Sequence, residues 1–168
     1  MSSKINLGNV CMNEMICEQL LIVKNIVDIA NRNNIKLWFN GTYGVVGYYG
    51  YFFSTPHDVD CGVLRKEHTK FKGILADNGY SLVSEKDNGK FLVTSFQKGT
   101  TVVELGTFDE DLGDNFADIE GIHYPIPDNL WLANCYRITH TKERRRGEND
   151  LDRAIFLESI NISKSTAK

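Results

Sequence analysis

The sequence predicts an α/β (α+β) domain in which helices flank a short mixed β-sheet and a small helical extension follows at the C-terminal end. Three observations predict this class. Apolar residues recur at helical spacing near the start of the chain, as Ile16, Leu20 and Val23 illustrate. A short apolar run at 36–40 is followed at once by Gly41-Thr42 and a second helix-like segment. Further along, strand-like apolar runs are separated by turn signals.

The length of the chain sets its domain organisation. Its 168 residues suit one domain with one sizeable core, because domains of about 100 to 150 residues are the commonest. We expect a single domain at 1–168, with its core at 13–124, C-terminal helices at 125–160 and a frayed tail at 161–168.

The composition excludes several broad classes of protein. A formal net charge of −3 argues against a nucleic-acid coat and against a membrane-surface protein, since both need strong positive charge. No apolar run approaches the roughly 18 residues of a membrane helix, and the first residues lack a basic-then-apolar signal pattern. The four cysteines show no CxxC pairing, which is typical of free thiols in a reducing compartment. We therefore expect a soluble, cytoplasmic protein with no membrane or nucleic-acid partner.

The elements can be justified in chain order. Asn13 is suited to cap a first helix, which ends in the polar segment NRNNI. The run 36–40 is typical of a buried strand, and Asn40 or Thr42 can cap the next helix, whose first amides would be available to an anion such as phosphate. The remaining elements are a strand at 59–64, a helix at 66–78, a hairpin of 91–96 and 101–105, an acidic loop at 108–120, a short helix at 130–136 and a last helix at 149–160.

Three acidic residues stand in strand-like surroundings. Asp58 and Asp60 are two residues apart, so in a strand their side chains project from the same face. Carboxylates held that close repel each other, and a divalent metal ion between them is the simplest relief. Glu104, in the apolar run 101–105, is a third candidate for the same site. These three residues are therefore the candidate metal ligands.

The order of these parts resembles the nucleotidyltransferase superfamily: a strand, Gly-Thr, a helix, an Asp-x-Asp strand and a later strand with one acid. The interval from Gly41-Thr42 to Asp58 is similar to that of the small lincosamide nucleotidyltransferases and aminoglycoside 2''-adenylyltransferases, whose pattern reads roughly W-x-D-G-G-W-x-V-D, a glycine and H-x-D-I-D. The matching residues are Trp38, Asn40, Gly41, Thr42, Tyr43, Val45, Val46, Gly50, His57, Asp58, Val59 and Asp60. Asn40 and Val46 stand where the family pattern has aspartates.

The resemblance extends over most of the chain. The segment EHTKFKGILADNGYSL is similar to the helix and turn after the Asp strand, and Val103-Glu104-Leu105 resembles the strand with the third acid. HYPIPDNLWLANCYRI resembles a later region of the family, and ENDLDRAIFL resembles its closing K-x-x-x-D-L motif with Asp150 in the aspartate position. The resemblance implies a nucleotidyltransferase fold with its catalytic core at 13–124.

The resemblance also implies an activity. It is the metal-dependent transfer of a nucleoside monophosphate from a nucleoside triphosphate, with ATP the expected donor, to a hydroxyl of a small molecule such as a lincosamide or aminoglycoside antibiotic. Asp58 and Asp60 would bind one or two Mg²⁺ ions, and Gly41 and Thr42 would hold the phosphates. Glu104 would complete a second metal site or take the proton of the acceptor as general base, and the sequence does not separate these roles.

Residues nearer the C-terminal end are assigned to the substrates. Arg146 is chosen from the basic run 142–146, by its spacing to Asp150, as a contact of the triphosphate. Tyr136 is a candidate to stack on the base. The acidic residues between 109 and 118 could attract a cationic acceptor. The aromatic cluster, defined as Tyr48, Tyr49, Tyr51, Phe52 and Phe53, is a candidate homodimer interface.

Two alternatives share the same fold. The phosphocholine transferases of the superfamily have a similar Gly-Thr to Asp-x-Asp interval, but usually carry a W-D-D-D-I-D core where this chain has Thr55-Pro56-His57 before Asp58. The other alternative is a minimal nucleotidyltransferase domain that modifies or binds a partner protein. A deep cleft with an acidic acceptor side would favour a small molecule, and a flat surface beside Glu104 would favour a protein.

Overall fold

The computed structural model describes residues 14–140 and 148–165. In chain order the described elements are α1 (Glu14–Arg32), β1 (Leu37–Phe39), α2 (Gly41–Tyr49), β2 (Val59–Leu64), a 3₁₀ turn (Arg65–Glu67), α3 (His68–Asp77), β3 (Ser81–Asp87), β4 (Leu92–Lys98), β5 (Thr101–Phe108), β6 (Asn115–Ile119), β7 (Ile122–Ile126), α4 (Asn129–His140) and α5 (Glu148–Ser165). None of the helices in this part of the chain is long and apolar enough to cross a membrane.

The main sheet is mixed, as the sequence predicts. Its five strands lie in the order β1-β2-β5-β4-β3. β2 and β5 run parallel, whereas β1 pairs with β2, β4 with β5 and β3 with β4 in antiparallel fashion. The β2–β5 register sets Asp60 directly opposite Glu104. Because side chains alternate along a strand, the two acids project from the same face of the sheet.

The opposite face of the sheet carries the core. Val59, Cys61 and Val63 of β2 and Val103 and Leu105 of β5 are all buried there. Helices α1 and α3 pack over this face, and the α1 side chains that recur at helical spacing are buried against it. Burial of each large aliphatic side chain stabilises the fold by about 1.5 to 3 kcal/mol. Because side chains alternate, the strands that present the acids on one face bury apolar side chains on the other, and this burial fixes β2 and β5 in the fold.

The C-terminal helices pack on α2. Val45 of α2 shares a second apolar cluster with Leu132 of α4 and with Ala154 and Leu157 of α5. The buried side-chain amide of Asn129 donates a hydrogen bond to the Leu157 carbonyl at 2.7 Å, which ties the start of α4 to α5. These contacts hold the two last helices over the N-terminal half of the fold.

The structure differs from the sequence expectation after Phe108. The segment 108–120, predicted to be an acidic loop, contains β6, which forms a two-stranded hairpin with β7. Its turn residues Glu120 and Gly121 both have positive φ angles, 51° and 75°, as tight two-residue hairpins require. At the other end, α5 continues through Ser165, so five residues of the tail that the sequence predicts to fray are helical.

Candidate active site

Three carboxylates converge at the parallel strand pair. Asp58 lies directly before β2, Asp60 lies within it, and Glu104 lies opposite Asp60 on β5. One oxygen from each carboxylate can be chosen so that all three lie within 4.8 Å of one another. Ser95 of β4 donates a long hydrogen bond of 3.4 Å to Glu104. The strand alternation predicted from the Asp-x-Asp spacing thus brings the three acids together.

A glycine is required beside this cluster. Gly41 has a positive φ of 56°, and a Cβ atom built on it would overlap the carboxylate of Asp60. The preceding residue is held in register, because the Asn40 amide donates to the Asp60 carbonyl at 3.1 Å. Any larger residue at position 41 would combine backbone strain with a steric clash. The first turn of α2 therefore lies directly against Asp60.

The N-terminal end of α2 opens onto the acids. Its first backbone N–H groups have no partner within the helix, and they favour an anionic ligand such as phosphate. Asn40 occupies the N-cap position, but its side chain makes no capping hydrogen bond. Among the described residues, its buried Oδ1 atom has no hydrogen-bond partner. Thr42 also lines this cleft.

The acids perturb one another electrostatically. The pKa of Asp60 is raised from its ordinary value of 3.8 to about 7, chiefly by burial and in addition by the nearby charges of Asp58 and Glu104. The described residues offer no Lys or Arg salt bridge to any of the three. Bringing a positive charge between them would relieve this repulsion.

The donor set fits a hard divalent cation. Three carboxylates supply only oxygen ligands, which Mg²⁺ prefers and usually combines with water and substrate phosphate oxygens. The charges of Asp58 and Glu104 both raise the pKa of Asp60, and a cation between the three carboxylates would oppose this effect. Asp58, Asp60 and Glu104 therefore form a candidate magnesium site.

The acids form the floor of a cleft of about 700 Å³. One wall is the start of α2, and the other consists of α4 and α5 residues. The lining residues are Asn40, Gly41, Thr42, Ser54, Thr55, Pro56, His57, Asp58, Asp60, Glu104, Trp131, Leu132, Cys135, Tyr136, Asp150 and Arg153. Tyr136 faces the acids across the cleft: burial raises its pKa to about 12, with Arg153 lowering it and Asp60 and Asp150 raising it. This volume suits a nucleotide-sized ligand.

Most of the residues that the sequence predicts to bind the nucleotide line this cleft. Gly41, Thr42, Tyr136 and Asp150 all do so, and Asp150 is almost fully buried. Arg146 lies outside the described residues.

Sequence reasoning missed Arg153, which lines the cleft from α5. The signal that could have found it is its spacing of three residues from Asp150, since residues three apart share a helix face.

The acidic segment is not part of the cleft. Asp109 pairs with Arg65 at 2.9 Å, and both Asp111 and Asp114 pair with Lys36 at 2.7 Å. Asp118 lies 2.9 Å from His123. None of these side chains is among the cleft residues given above. The expectation that this segment attracts a cationic acceptor into the site is therefore wrong, because its charges lie elsewhere and face cations of the same chain.

The aromatic cluster packs within the chain. Phe52 is buried, Tyr49 stacks on Phe156 of α5 with ring centroids 3.9 Å apart, and the Tyr48 hydroxyl donates to the Pro127 carbonyl at 2.8 Å.

Val46, at the second position where the family pattern has an aspartate, is fully buried in the core. Position 46 therefore lies in the core, and valine at this position does not remove a carboxylate from the cleft.

Solved structures share this architecture, whereas no protein-family model and no curated protein sequence matches the chain. The antibiotic-resistance factor ANT(2'')-Ia matches at a TM-score of 0.64 and 13% identity, over 90% of this chain and 95% of its own. The lincomycin-bound lincosamide adenylyltransferase LnuA matches at 0.60 and 13%, over 83% and 97%. A nucleotidyltransferase-like protein from Paracoccidioides brasiliensis matches at 0.59 and 16%, over 86% and 77%.

These matches, together with the mixed sheet, confirm that the chain has the nucleotidyltransferase fold. The resemblance that the Gly-Thr and Asp-x-Asp motifs indicate is thus confirmed at the level of the fold.

Proposed function

We propose that this chain is a metal-dependent nucleotidyltransferase. The observation that carries the proposal is the position of Asp58, Asp60 and Glu104 directly against Gly41 at the start of α2. Transfer from a triphosphate needs cations to neutralise phosphate charge and donors that position the phosphates. The carboxylates can hold the cations, and the α2 amides with Thr42 can supply the donors that position the phosphates. The antibiotic adenylyltransferases of the same fold support this assignment.

In the proposed reaction, a hydroxyl oxygen of the acceptor attacks the α-phosphorus of the donor. The new P–O ester bond forms as the bond to the α–β bridging oxygen breaks, and the electron pair of that bond leaves with pyrophosphate. Glu104 takes the hydroxyl proton as general base, since it stands on β5 at the cleft floor. Mg²⁺ held by Asp58 and Asp60 would supply positive charge to the phosphate oxygens. The α2 amides and Thr42 hold the phosphates in line for attack.

The proposed acceptor is a small hydroxyl compound of the lincosamide or aminoglycoside kind. The support is the fold shared with LnuA, which was solved with lincomycin, and with ANT(2'')-Ia, which was solved with adenylyl-2''-tobramycin. ATP is the proposed donor, and the cytoplasm the proposed compartment.

Calorimetric titration of ATP, GTP, CTP and UTP with Mg²⁺ tests the donor site. We expect one triphosphate to bind the wild type and to lose its binding in Asp58→Asn/Asp60→Asn. The matched control is Asp109→Asn/Asp118→Asn, which removes two exposed carboxylates outside the cleft and should bind normally. If no triphosphate binds the wild type, nucleotidyl transfer is refuted, and CDP-choline becomes the next donor to titrate. Once a donor binds, mass spectrometry of lincosamides and aminoglycosides incubated with enzyme and donor identifies the acceptor.

One observation favours a second acceptor, a hydroxyl side chain of a partner protein. Val93, Ser95 and Gln97 of β4 are half-exposed on the face that carries Glu104, whereas Thr94 and Phe96 are buried on the other. A larger acceptor could lie on this uncovered part of the sheet. Transfer of label from an α-labelled triphosphate to the protein fraction of a cell extract, and not to its small molecules, would favour this alternative.

A further inference from the structure

Arg153 contacts two aromatic rings on the wall of the cleft. It lies on α5, with its guanidinium carbon 4.9 Å from the ring centroid of Phe53 and 5.5 Å from that of Tyr136. Cation–π contacts of this kind hold a guanidinium in one orientation without neutralising its charge. Phe53 belongs to the segment between α2 and β2 that also leads to Asp58. The side chain of Arg153 is therefore positioned by aromatic rings on both sides.

The part of the cleft lining that the structure describes around Arg153 is mostly acidic. The described lining of the cleft contains four carboxylates, those of Asp58, Asp60, Glu104 and Asp150, and Arg153 is its one Lys or Arg. A plain structural role would pair Arg153 with Asp150, three residues before it on α5. The salt bridges found among the described side chains do not include that pair. The guanidinium lies beside the neutral Tyr136 side chain, whose pKa it lowers, and no salt bridge between described residues neutralises its charge.

We propose that Arg153 binds the phosphates that leave as pyrophosphate, from the side of the cleft opposite the start of α2, and that Phe53 is its positioning residue. The inference rests on the proposed function. A guanidinium presents a planar fork of donors that matches two phosphate oxygens, and charge builds on the leaving group as the α–β bond breaks. The carboxylate floor cannot stabilise that charge by itself.

Binding to ligands with different numbers of phosphates tests Arg153. MgATP, MgADP and AMP are titrated into the wild type, Arg153→Ala, Arg153→Lys and the control Arg137→Ala. Arg137 lies on α4, exposed and bonded to Glu158, outside the cleft lining. We expect Arg153→Ala to weaken MgATP binding about 10- to 100-fold, as expected for loss of charge-assisted hydrogen bonds, and AMP binding less than about threefold. Arg153→Lys should recover part of the loss, and Arg137→Ala should match the wild type.

Product inhibition gives an independent readout. Magnesium pyrophosphate should compete with MgATP in the wild type and about 10-fold less well in Arg153→Ala. Phe53→Ala should raise the KM for MgATP and lower kcat, because the guanidinium loses one of its two rings. The matched control is Phe116→Ala, a more exposed phenylalanine on β6 that stacks on His123, and its kinetic constants should not change.

The outcomes separate this inference from the proposed function. If the wild type binds MgATP and Arg153→Ala binds it equally well, Arg153 has no phosphate role although the nucleotide site stands. If Arg153→Ala loses MgATP and AMP to the same extent, or melts at a lower temperature than Arg153→Lys by enough to explain the loss, its role is structural. If the wild type binds none of the nucleotides, both the donor site and the role of Arg153 are refuted.

Discussion

Replacing Asp60 by Asn should stabilise the metal-free protein at neutral and alkaline pH. The pKa of Asp60 is raised from 3.8 to about 7 in the folded chain. Each pKa unit is about 1.4 kcal/mol, so the ionised carboxylate costs the fold roughly 4 kcal/mol. The folded state holds the proton more tightly, so the cost is absent below pH 4, grows as the pH rises and is complete above pH 7. The Asn side chain keeps the volume but not the charge.

Chemical denaturation in EDTA measures this effect. We expect Asp60→Asn to be more stable than the wild type by only about 1 kcal/mol at pH 4.5 and by up to roughly 4 kcal/mol at pH 8. In a chain of this length that gain corresponds to roughly 10 °C in Tm. Adding Mg²⁺ at pH 8 should stabilise the wild type and leave the variant unchanged, since the cation relieves the repulsion only where the carboxylate remains.

Two results would refute this reasoning. A stability difference that is the same at pH 4.5 and pH 8 would show that the carboxylate of Asp60 is not strained by its surroundings. An Asp60→Asn protein that is less stable than the wild type at pH 8 in EDTA would show that the charge has a partner inside the fold. The control Asp118→Asn, on the surface hairpin, should show no such dependence on pH.

Three further predictions follow from single contacts. Glu104→Gln should lower kcat at least about 100-fold and weaken triphosphate binding less than Asp58→Asn/Asp60→Asn does, because Gln removes the proton acceptor but keeps one oxygen for the cation. Single-turnover kinetics and calorimetry measure the two, and unchanged turnover would exclude Glu104 as the base. Gly41→Ala should lower the free energy of unfolding by more than about 1 kcal/mol and abolish the stabilisation by Mg²⁺, because the new Cβ would overlap Asp60. A thermal melt with and without Mg²⁺ measures both effects, and a variant that responds like the wild type would contradict this geometry. Burial lowers the pKa of His68 in the folded chain. As the pH drops below about 6.5 the unfolded chain therefore binds the proton first, and the free energy of unfolding should fall. His68→Gln should flatten this part of the curve of stability against pH, and an unchanged curve would exclude His68 as the source of the loss.

The acid cluster could be predicted because it follows from local rules. Side chains in a strand alternate, so the spacing of Asp58 and Asp60 alone sets both on one face. The position of Glu104 needed one more inference, that its strand lies beside β2, and the motif order supplied it. Gly41 was likewise visible as a turn between a strand and a helix, although the reason for it, contact with Asp60, appears only in three dimensions.

The errors concern contacts between distant parts of the chain. The residues between 109 and 118 look like free acidic charge in the sequence, but Lys36, which pairs with two of them, lies about 75 residues earlier. The strand β6 was missed for a related reason. Its exposed residues, Phe116 and Asp118, alternate with the buried Ala117 and Ile119 over only a few positions, and the partner strand β7 is needed to make it a hairpin. Arg153 was missed because its importance depends on Phe53, a hundred residues before it.

The distribution of ion pairs separates the site from the rest of the surface. Six carboxylates outside the cleft have cations of the same chain beside them: Asp28 with Lys24, Glu85 with Lys72, Asp109 with Arg65, Asp111 and Asp114 with Lys36, and Glu158 with Arg137. One oxygen of each of Asp58, Asp60 and Glu104 lies within 4.8 Å of the other two, yet no salt bridge between described residues reaches them. Under the proposed function, a cation supplied from solution would relieve the repulsion within this half-buried triad. That cation would bring a phosphate-bearing ligand to the start of α2, where the unpaired amides of the helix already favour an anion.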